Sequence, residues 1–394
     1  MFAIETNEGY FLHLIACALD GRTPKPLPPS VAPAALYRLA ERHGVRALTY
    51  TAYARVPNVP SDALLAAWKE SYQRAVVRDA TQQYEFEQLS AMFTRCKQPF
   101  VPLKGLRVKA EYPATALREM GDLDILLPKA DFHAIRPQME TLGYTFKERH
   151  ALHHDIYLKP PIMNIELHRE VHTEDRRSAR YFAALSEAAA QGAGCVLQSD
   201  EDLYLHLVLH AAEHVKDAGM GIRLFLDLYL FRKRHTLDDA KVAARLSEWK
   251  LASLEHWMLL LSALWFDETP PVLSVEDAKK ADALEAFFLQ SSLYGSAAQQ
   301  QTNAALKAGD KRNSLFLGKV RNFLSATFLP YKLMCLRYPI LKKAPVLLPI
   351  FWVVRIVDTL LHHRNRLAHV ATELDAVDPA AFQQSKQVLD TLFR

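Results

Sequence analysis

The rhythm of apolar and polar positions changes twice along this chain of 394 residues. Over residues 1–96 apolar side chains recur at helical spacing, with breaks at Pro26 to Ser30 and at Val56 to Ser61. Ala34 to His43 forms a helical stretch between those breaks. A longer helix is predicted from Asp62 to Cys96, where Tyr84, Phe86, Leu89 and Met92 are spaced among Glu85, Glu87 and Gln88, a scaffold pattern. Between residues 97 and 198 the period shortens: Leu123 to Leu127, Asp155 to Leu158 and Met163 to His168 read as strands, and Asp131 to Leu142 as a helix ended by Gly143. At Ser199 and Asp200, which can cap a helix, the helical period returns. It continues through Asp238 to Trp249, Leu254 to Trp265 and Glu276 to Leu289, interrupted by Pro270 and Pro271. The chain therefore reads as α+β, with a small mixed core at 97–198 between helical regions at 1–96 and 199–292. Small and polar residues make 293–315 a loop or linker, and 316–394 reads as a helical, partly basic and amphipathic tail.

Composition narrows the function without deciding it. Half of the residues are hydrophobic, enough for two or three packed domains. With 48 basic against 44 acidic residues the net charge is only +4, so the whole chain does not advertise a nucleic-acid binder. The local basic groups, Arg176, Arg177 and Arg180 or His362 to Arg366, lack the interleaved aromatics of a single-strand platform. Cys17, Cys96, Cys195 and Cys335 lie far apart, suiting reduced cytoplasmic thiols, and the N-terminus lacks the basic start and apolar core of a signal peptide. In the tail, Ala344 to Val354 carries no charge but is shorter than the roughly 20 residues of a membrane helix. Burial against the helical body is expected for 316–361. Peripheral contact with the inner face of a membrane, or with a protein, is the alternative, because cationic and aromatic groups are interleaved there.

The sharpest chemical signal lies in Arg118 to Leu127. Asp122 and Asp124 stand two apart at the start of an apolar run, and strand residues two apart share a face. Glu166, in the alternating segment Met163 to His168, can add a third carboxylate from a neighbouring strand. Such a cluster repels itself unless a divalent cation is present, and Mg2+ suits carboxylate and phosphate oxygens. Gly121 gives the acids a tight entry. Upstream, Lys104 and Gly105 follow an apolar strand and precede a short helix running to Glu111 or Tyr112, where a glycine lets phosphate approach the helix N-terminus and a lysine adds charge. Arg118 serves either as a phosphate contact or as a loop anchor bonded to backbone carbonyls, the second being favoured. His168 shares the face of Glu166 and suits a substrate contact or a bond to the acids. His206, His210 and His214 form one helical stripe. No neighbouring cysteine or carboxylate completes a zinc set, so lining of the acceptor side is the better reading, with His210 among the candidates. Asp227 lies among leucines, four residues from Arg223, which it could anchor.

These segments, taken in order, closely resemble the uncharacterised nucleotidyltransferase family of the polymerase-beta-like superfamily. The resemblance rests on Pro102 to Gly105, Tyr112 and Pro113, Leu117 to Leu127, Leu142 to Tyr144, His153 and His154, and Ile165 to His168, and is strong over about residues 85–235. It implies a small mixed-sheet polymerase-beta-like nucleotidyltransferase core in which Gly105 contacts the triphosphate, with Lys104, Arg118 and Gly121 beside it. Asp122, Asp124 and Glu166 would hold two Mg2+ ions, with Mn2+ as the alternative, and ATP is the expected nucleotide. His154 would face the cleft, and Asp227 matches an acid on a following helix. The wider superfamily has Gly-Ser or Gly-Gly where this chain has Lys104 and Gly105.

The implied reaction is in-line transfer of a nucleoside monophosphate to a hydroxyl, with pyrophosphate leaving. The acceptor, a small molecule, a sugar or glycan precursor, or a protein side chain, is not encoded in any motif. A catalytically silent nucleotide-binding scaffold and a metal-dependent phosphodiesterase are the alternatives. Retention of all three acids argues against the first, and the Gly105 turn against the second.

Overall fold

The computed structural model describes residues 2–59, 62–150, 154–171, 173, 175–292, 300, 302–303, 306, 328–329, 331, 334–335, 338–362 and 379–393. The expected linker at 293–315 lies almost wholly outside these, as do His153 and most of His362 to Arg366. Two compact units are present: Met1–Glu213 with Met220–Leu293 and Thr391–Arg394, and His214–Gly219 with Tyr294–Asp390.

In the first unit, helices α1 (Asn7–Asp20), α2 (Pro33–Arg42) and α3 (Arg46–Tyr53) precede α4 (Ala63–Arg95). Asp62 caps α4 by accepting a hydrogen bond from the Leu65 amide, so the start read from sequence is the physical one. β1 (Val101–Pro102) then leads to α5 (Gly105–Val108), only one turn long before the chain tightens into 3-10 geometry at Lys109–Glu111. After β2 (Leu123–Leu126), α6 (Phe132–Thr141) is capped by Asp131, and Gly143 leaves it with φ +83. β3 (Thr145–His150), β4 (His154–Lys159) and β5 (Met163–His168) form a meander.

The five strands are ordered β1-β2-β5-β4-β3, and β2 against β5 is the parallel pair. That pairing sets Asp124 opposite Glu166 and Leu126 opposite His168. The mixed sheet among helices gives the expected α+β class. One face buries Leu123, Ile125, Leu127, Ile165 and Leu167 against Leu89, Met92 and Phe93 of α4 and Phe132, Ile135 and Met139 of α6. Each such side chain contributes roughly 1.5–3 kcal/mol. The other face is apolar at Val101, Leu103 and Leu126, which pack with Ala189 of α7 (Arg176–Ala189), and polar at Asp124, Glu166 and His168. The strand period thus places a hydrophobic anchor behind every polar group of the site.

Helices α8 (Asp200–Asp217), α9 (Ile222–Arg234), α10 (Asp239–Glu248), α11 (Ala252–Phe266) and α12 (Val275–Gln290) follow. The Ser199 hydroxyl accepts from the Asp202 amide at the start of α8. In the second unit, Pro345 opens a 3-10 turn and Pro349 lies in the first turn of α13 (Leu348–His362), where a missing amide proton is tolerated. The two prolines therefore begin helical segments instead of interrupting one. Met334, Cys335 and Leu341 form a small core with Tyr338, Phe351 and Trp352, while Val346, Ile350 and Val353 remain exposed. A last helix, α14 (Pro379–Phe393), ends the described chain. Among the described residues no helix is long and apolar enough to cross a membrane.

Candidate active site

Asp124 projects from β2 beside Glu166 of β5 because the two residues are register partners in a parallel pair. Asp122 precedes β2 by one residue and lies close enough for its charge to raise the Glu166 carboxyl. On β4, His154 stands opposite His168 in the antiparallel register, so both imidazoles share the face of the acids. Their ring centroids are 4.8 Å apart. His168 Nε2 lies 2.7 Å from Asp124 Oδ1, and His154 Nε2 lies 3.3 Å from Glu166 Oε2. Lys104 Nζ approaches the other carboxylate oxygen, Asp124 Oδ2, at 3.5 Å.

The charges of this cluster are unequal. Burial pushes the Glu166 carboxyl up to about 7, with Asp124 and Asp122 adding repulsion. Burial and Asp124 likewise raise Asp122. Burial also opposes ionisation of Asp124, but Lys104, the His168 hydrogen bond and nearby His210 outweigh it and hold Asp124 well below the usual carboxylate range. One acid is thus fixed as an anion while its neighbours resist becoming anions, a pattern common where a cation or proton is handled.

Lys104 caps α5 at φ 38, in the left-handed region that side chains rarely adopt. The Leu103 amide donates to the Asp124 carbonyl oxygen at 3.0 Å, tying this strained corner to β2. Gly105 has a packing reason in this structure. A Cβ there would lie 2.6 Å from Arg118 Nη1 and 2.7 Å from Met120 Sδ.

Arg118 has a partner that neither sequence reading supplied. Its Nε and Nη2 donate to the two oxygens of Asp227 at 2.8 and 2.6 Å, and the Tyr112 hydroxyl donates to Asp227 at 2.7 Å. The network is buried: Asp227 is 1% exposed and Arg118 7%. Asp227 therefore anchors Arg118, not Arg223, whose Nη1 donates instead to the Glu119 carbonyl. With Gln82 donating to the Met120 carbonyl and Glu119 accepting from the Ala47 amide, the chain from Arg118 to Gly121 is held from α3, α4 and α9. This clamp fixes where Asp122 begins. Glu85, on the other face of the sheet, binds the Tyr144 hydroxyl and Lys159, a structural pairing.

Among the described residues, the group of three whose donor atoms all lie within 4.8 Å of one another is His154, Glu166 and His168. The two histidines, read from sequence as substrate or supporting groups, thus converge on Glu166. Alternation in β4 and β5 was the sequence signal, but their pairing was not legible. His206 is a second addition. It is buried on α8, its Nδ1 has no hydrogen-bond partner, and burial followed by the charge of Lys104 pushes it down to about 3. It is therefore a neutral imidazole on the polar side of the sheet.

Residues 29–267, more than half of the chain, match the model of a family described as uncharacterised nucleotidyltransferase. No curated protein and no solved structure matches the chain.

Proposed function

Because this chain belongs to the uncharacterised nucleotidyltransferase family, we propose that it transfers a nucleoside monophosphate from a nucleoside triphosphate, ATP foremost, to a hydroxyl acceptor. The observation that carries this reading is the β2–β5 register, which sets Asp124 beside Glu166 with Lys104 Nζ 3.5 Å from Asp124. Three half-buried carboxylates, two of which are pushed up by their acidic neighbours, are a donor set that fits divalent metal. Asp122, Asp124 and Glu166 would hold Mg2+, or Mn2+ in its place, which when bound neutralises phosphate charge and lowers the pKa of an acceptor hydroxyl.

The chain's own residues account for the rest. The acceptor oxygen attacks the α-phosphorus in line, a new phosphorus–oxygen ester bond forms, and the bond to the β-phosphate oxygen breaks as pyrophosphate leaves. Glu166, the register partner of Asp124, would stand on the acceptor side and help take the acceptor's proton. Lys104 offers its ammonium to the triphosphate, and Gly105 admits a phosphate close to the backbone. Neutral His206, and His210 one turn further along α8, suit the acceptor side, where a hydroxylated small molecule, sugar precursor or protein side chain would sit. Arg118 and Asp227 act on position alone, holding the loop before Asp122.

A mass-spectrometric screen of nucleoside triphosphates with cell extract tests the reaction: a product heavier by one nucleoside monophosphate, absent with Asp124→Asn, is expected. Release of nucleotide to water alone would favour the phosphodiesterase reading, and no turnover with intact triphosphate binding would favour the silent scaffold.

A further inference from the structure

The donor atoms around Glu166 are not all oxygen, and that difference has a consequence for which cation can sit there. We propose that His154, Glu166 and His168 form a mixed nitrogen–oxygen site for a divalent transition ion of the zinc class, so that the cation positions of this protein differ in chemistry. This deepens the proposed transferase function and rests on it only for the ion's purpose. The site itself stands on the geometry of β4 and β5.

His154 and His168 are cross-strand partners, and Glu166 is two residues before His168, so one sheet face carries all three side chains. Glu166 Oε2 lies 3.3 Å from His154 Nε2 and 3.7 Å from His168 Nε2. With metal–ligand bonds of about 2.0–2.2 Å, the edge of a tetrahedral site is about 3.4 Å, so small side-chain rotations close this set on one ion. Asp124 Oδ1, 2.7 Å from His168 Nε2, stands next in line as a further oxygen donor. The pair Asp122 and Asp124 offers oxygen alone.

Donor type separates these positions. Magnesium prefers oxygen and dehydrates reluctantly, whereas imidazole nitrogen suits zinc, iron and cobalt. Two imidazoles with one carboxylate leave coordination positions open, as a site that must also receive a substrate oxygen requires. The strands beneath are locked by Leu167 and Ile165 in the core, so the donors stand on a rigid support and not on a loop.

The probe is Co2+, added to the metal-free full-length protein in excess Mg2+ and followed by visible absorption. One equivalent is expected to bind, to resist Mg2+ and to be displaced stoichiometrically by Zn2+. His154→Ala and His168→Ala should each weaken Co2+ binding at least tenfold (about 1.4 kcal/mol), while Asp122→Asn changes it less than about threefold (about 0.7 kcal/mol). Pulsed electron paramagnetic resonance of the unsubstituted protein with one equivalent of Cu2+ bound in excess Mg2+ should show coupling to imidazole nitrogen, which keeps the test decisive if a variant does not fold. Displacement of Co2+ by Mg2+ as readily as by Zn2+, or the absence of nitrogen coupling, overturns the proposal. Nitrogen-coupled metal without nucleotidyl transfer under any nucleotide would instead sink the transferase reading and leave the metal site standing. Transfer with Mg2+ alone, without a nitrogen-coupled ion, would do the reverse.

Discussion

Two clusters of charge lie at either end of the segment from Arg118 to Asp124, one buried and one half-buried, and they are built on opposite principles. In one, Asp227 receives two bonds from Arg118 and one from Tyr112, so its acceptors are filled and its charge is balanced. In the other, Asp122, Asp124 and Glu166 repel one another, Lys104, the histidines and the more distant Arg118 and Arg223 offset them in part, and Glu166 is still pushed up to about 7. A satisfied pair specifies position. An unbalanced one stores a demand that a cation, a phosphate or a proton can meet.

The largest expected break in that contrast is Asp124→Asn. It removes the one acid held firmly as an anion, and transfer should fall roughly 10^3-fold, about 4 kcal/mol of barrier. Steady-state transfer assays check it, and activity within tenfold of the parent would move the metal site elsewhere. Asp227→Ala attacks the other cluster and should cost roughly 3–5 kcal/mol of stability by leaving Arg118 buried without its partner. Denaturant unfolding measures it, and adding Arg118→Met should recover much of the loss because the unpaired charge is gone.

Gly105→Ala tests the seam between the clusters. Its methyl group meets Arg118 Nη1 at 2.6 Å, so about 1–3 kcal/mol of overpacking is expected, with weaker triphosphate binding as the loop shifts. Unfolding and nucleotide titrations on one preparation would show both effects together; a change in only one would separate packing from phosphate approach.

The smallest effect is a slope with pH. Metal takes the ionised form of Glu166, so below about 7 each ion bound displaces a proton from it, and affinity should rise up to tenfold per pH unit before levelling. The same shift predicts the metal-free protein's behaviour. A carboxyl whose folded value is raised adds stability at low pH, fully present below its unfolded value near 4.3 and lost as pH rises through about 7. Divalent cation should therefore raise the melting temperature most above pH 7. Glu166→Gln should flatten both dependences, whereas a pH profile unchanged by that substitution would assign the titration to another group.

Some of this was written locally and could be read so. The Asp62 and Asp131 caps, the long α4 and the alternation of Met163 to His168 follow from nearest neighbours, because capping and strand period act over a few residues. The identity of Asp122, Asp124 and Glu166 as candidates needed no more than that. The role of Arg118 was not legible, since its partner lies 109 positions away and a buried arginine accepts any correctly placed carboxylate. For the same reason His206 could not be singled out from His210 and His214, which repeat its spacing on one helix.

By itself, then, the sequence determined the elements, their faces and the kinds of group available for chemistry, because helix and strand periods and turn preferences are short-range. Only the tertiary structure decided that β2 runs parallel beside β5, that β4 returns His154 onto Glu166, and that Asp227 of α9 reaches Arg118. Those are matters of which strand pairs with which and of which charge is buried with which. They are set by the packing of the whole unit, where the energy of a buried group depends on every neighbour that replaces its water.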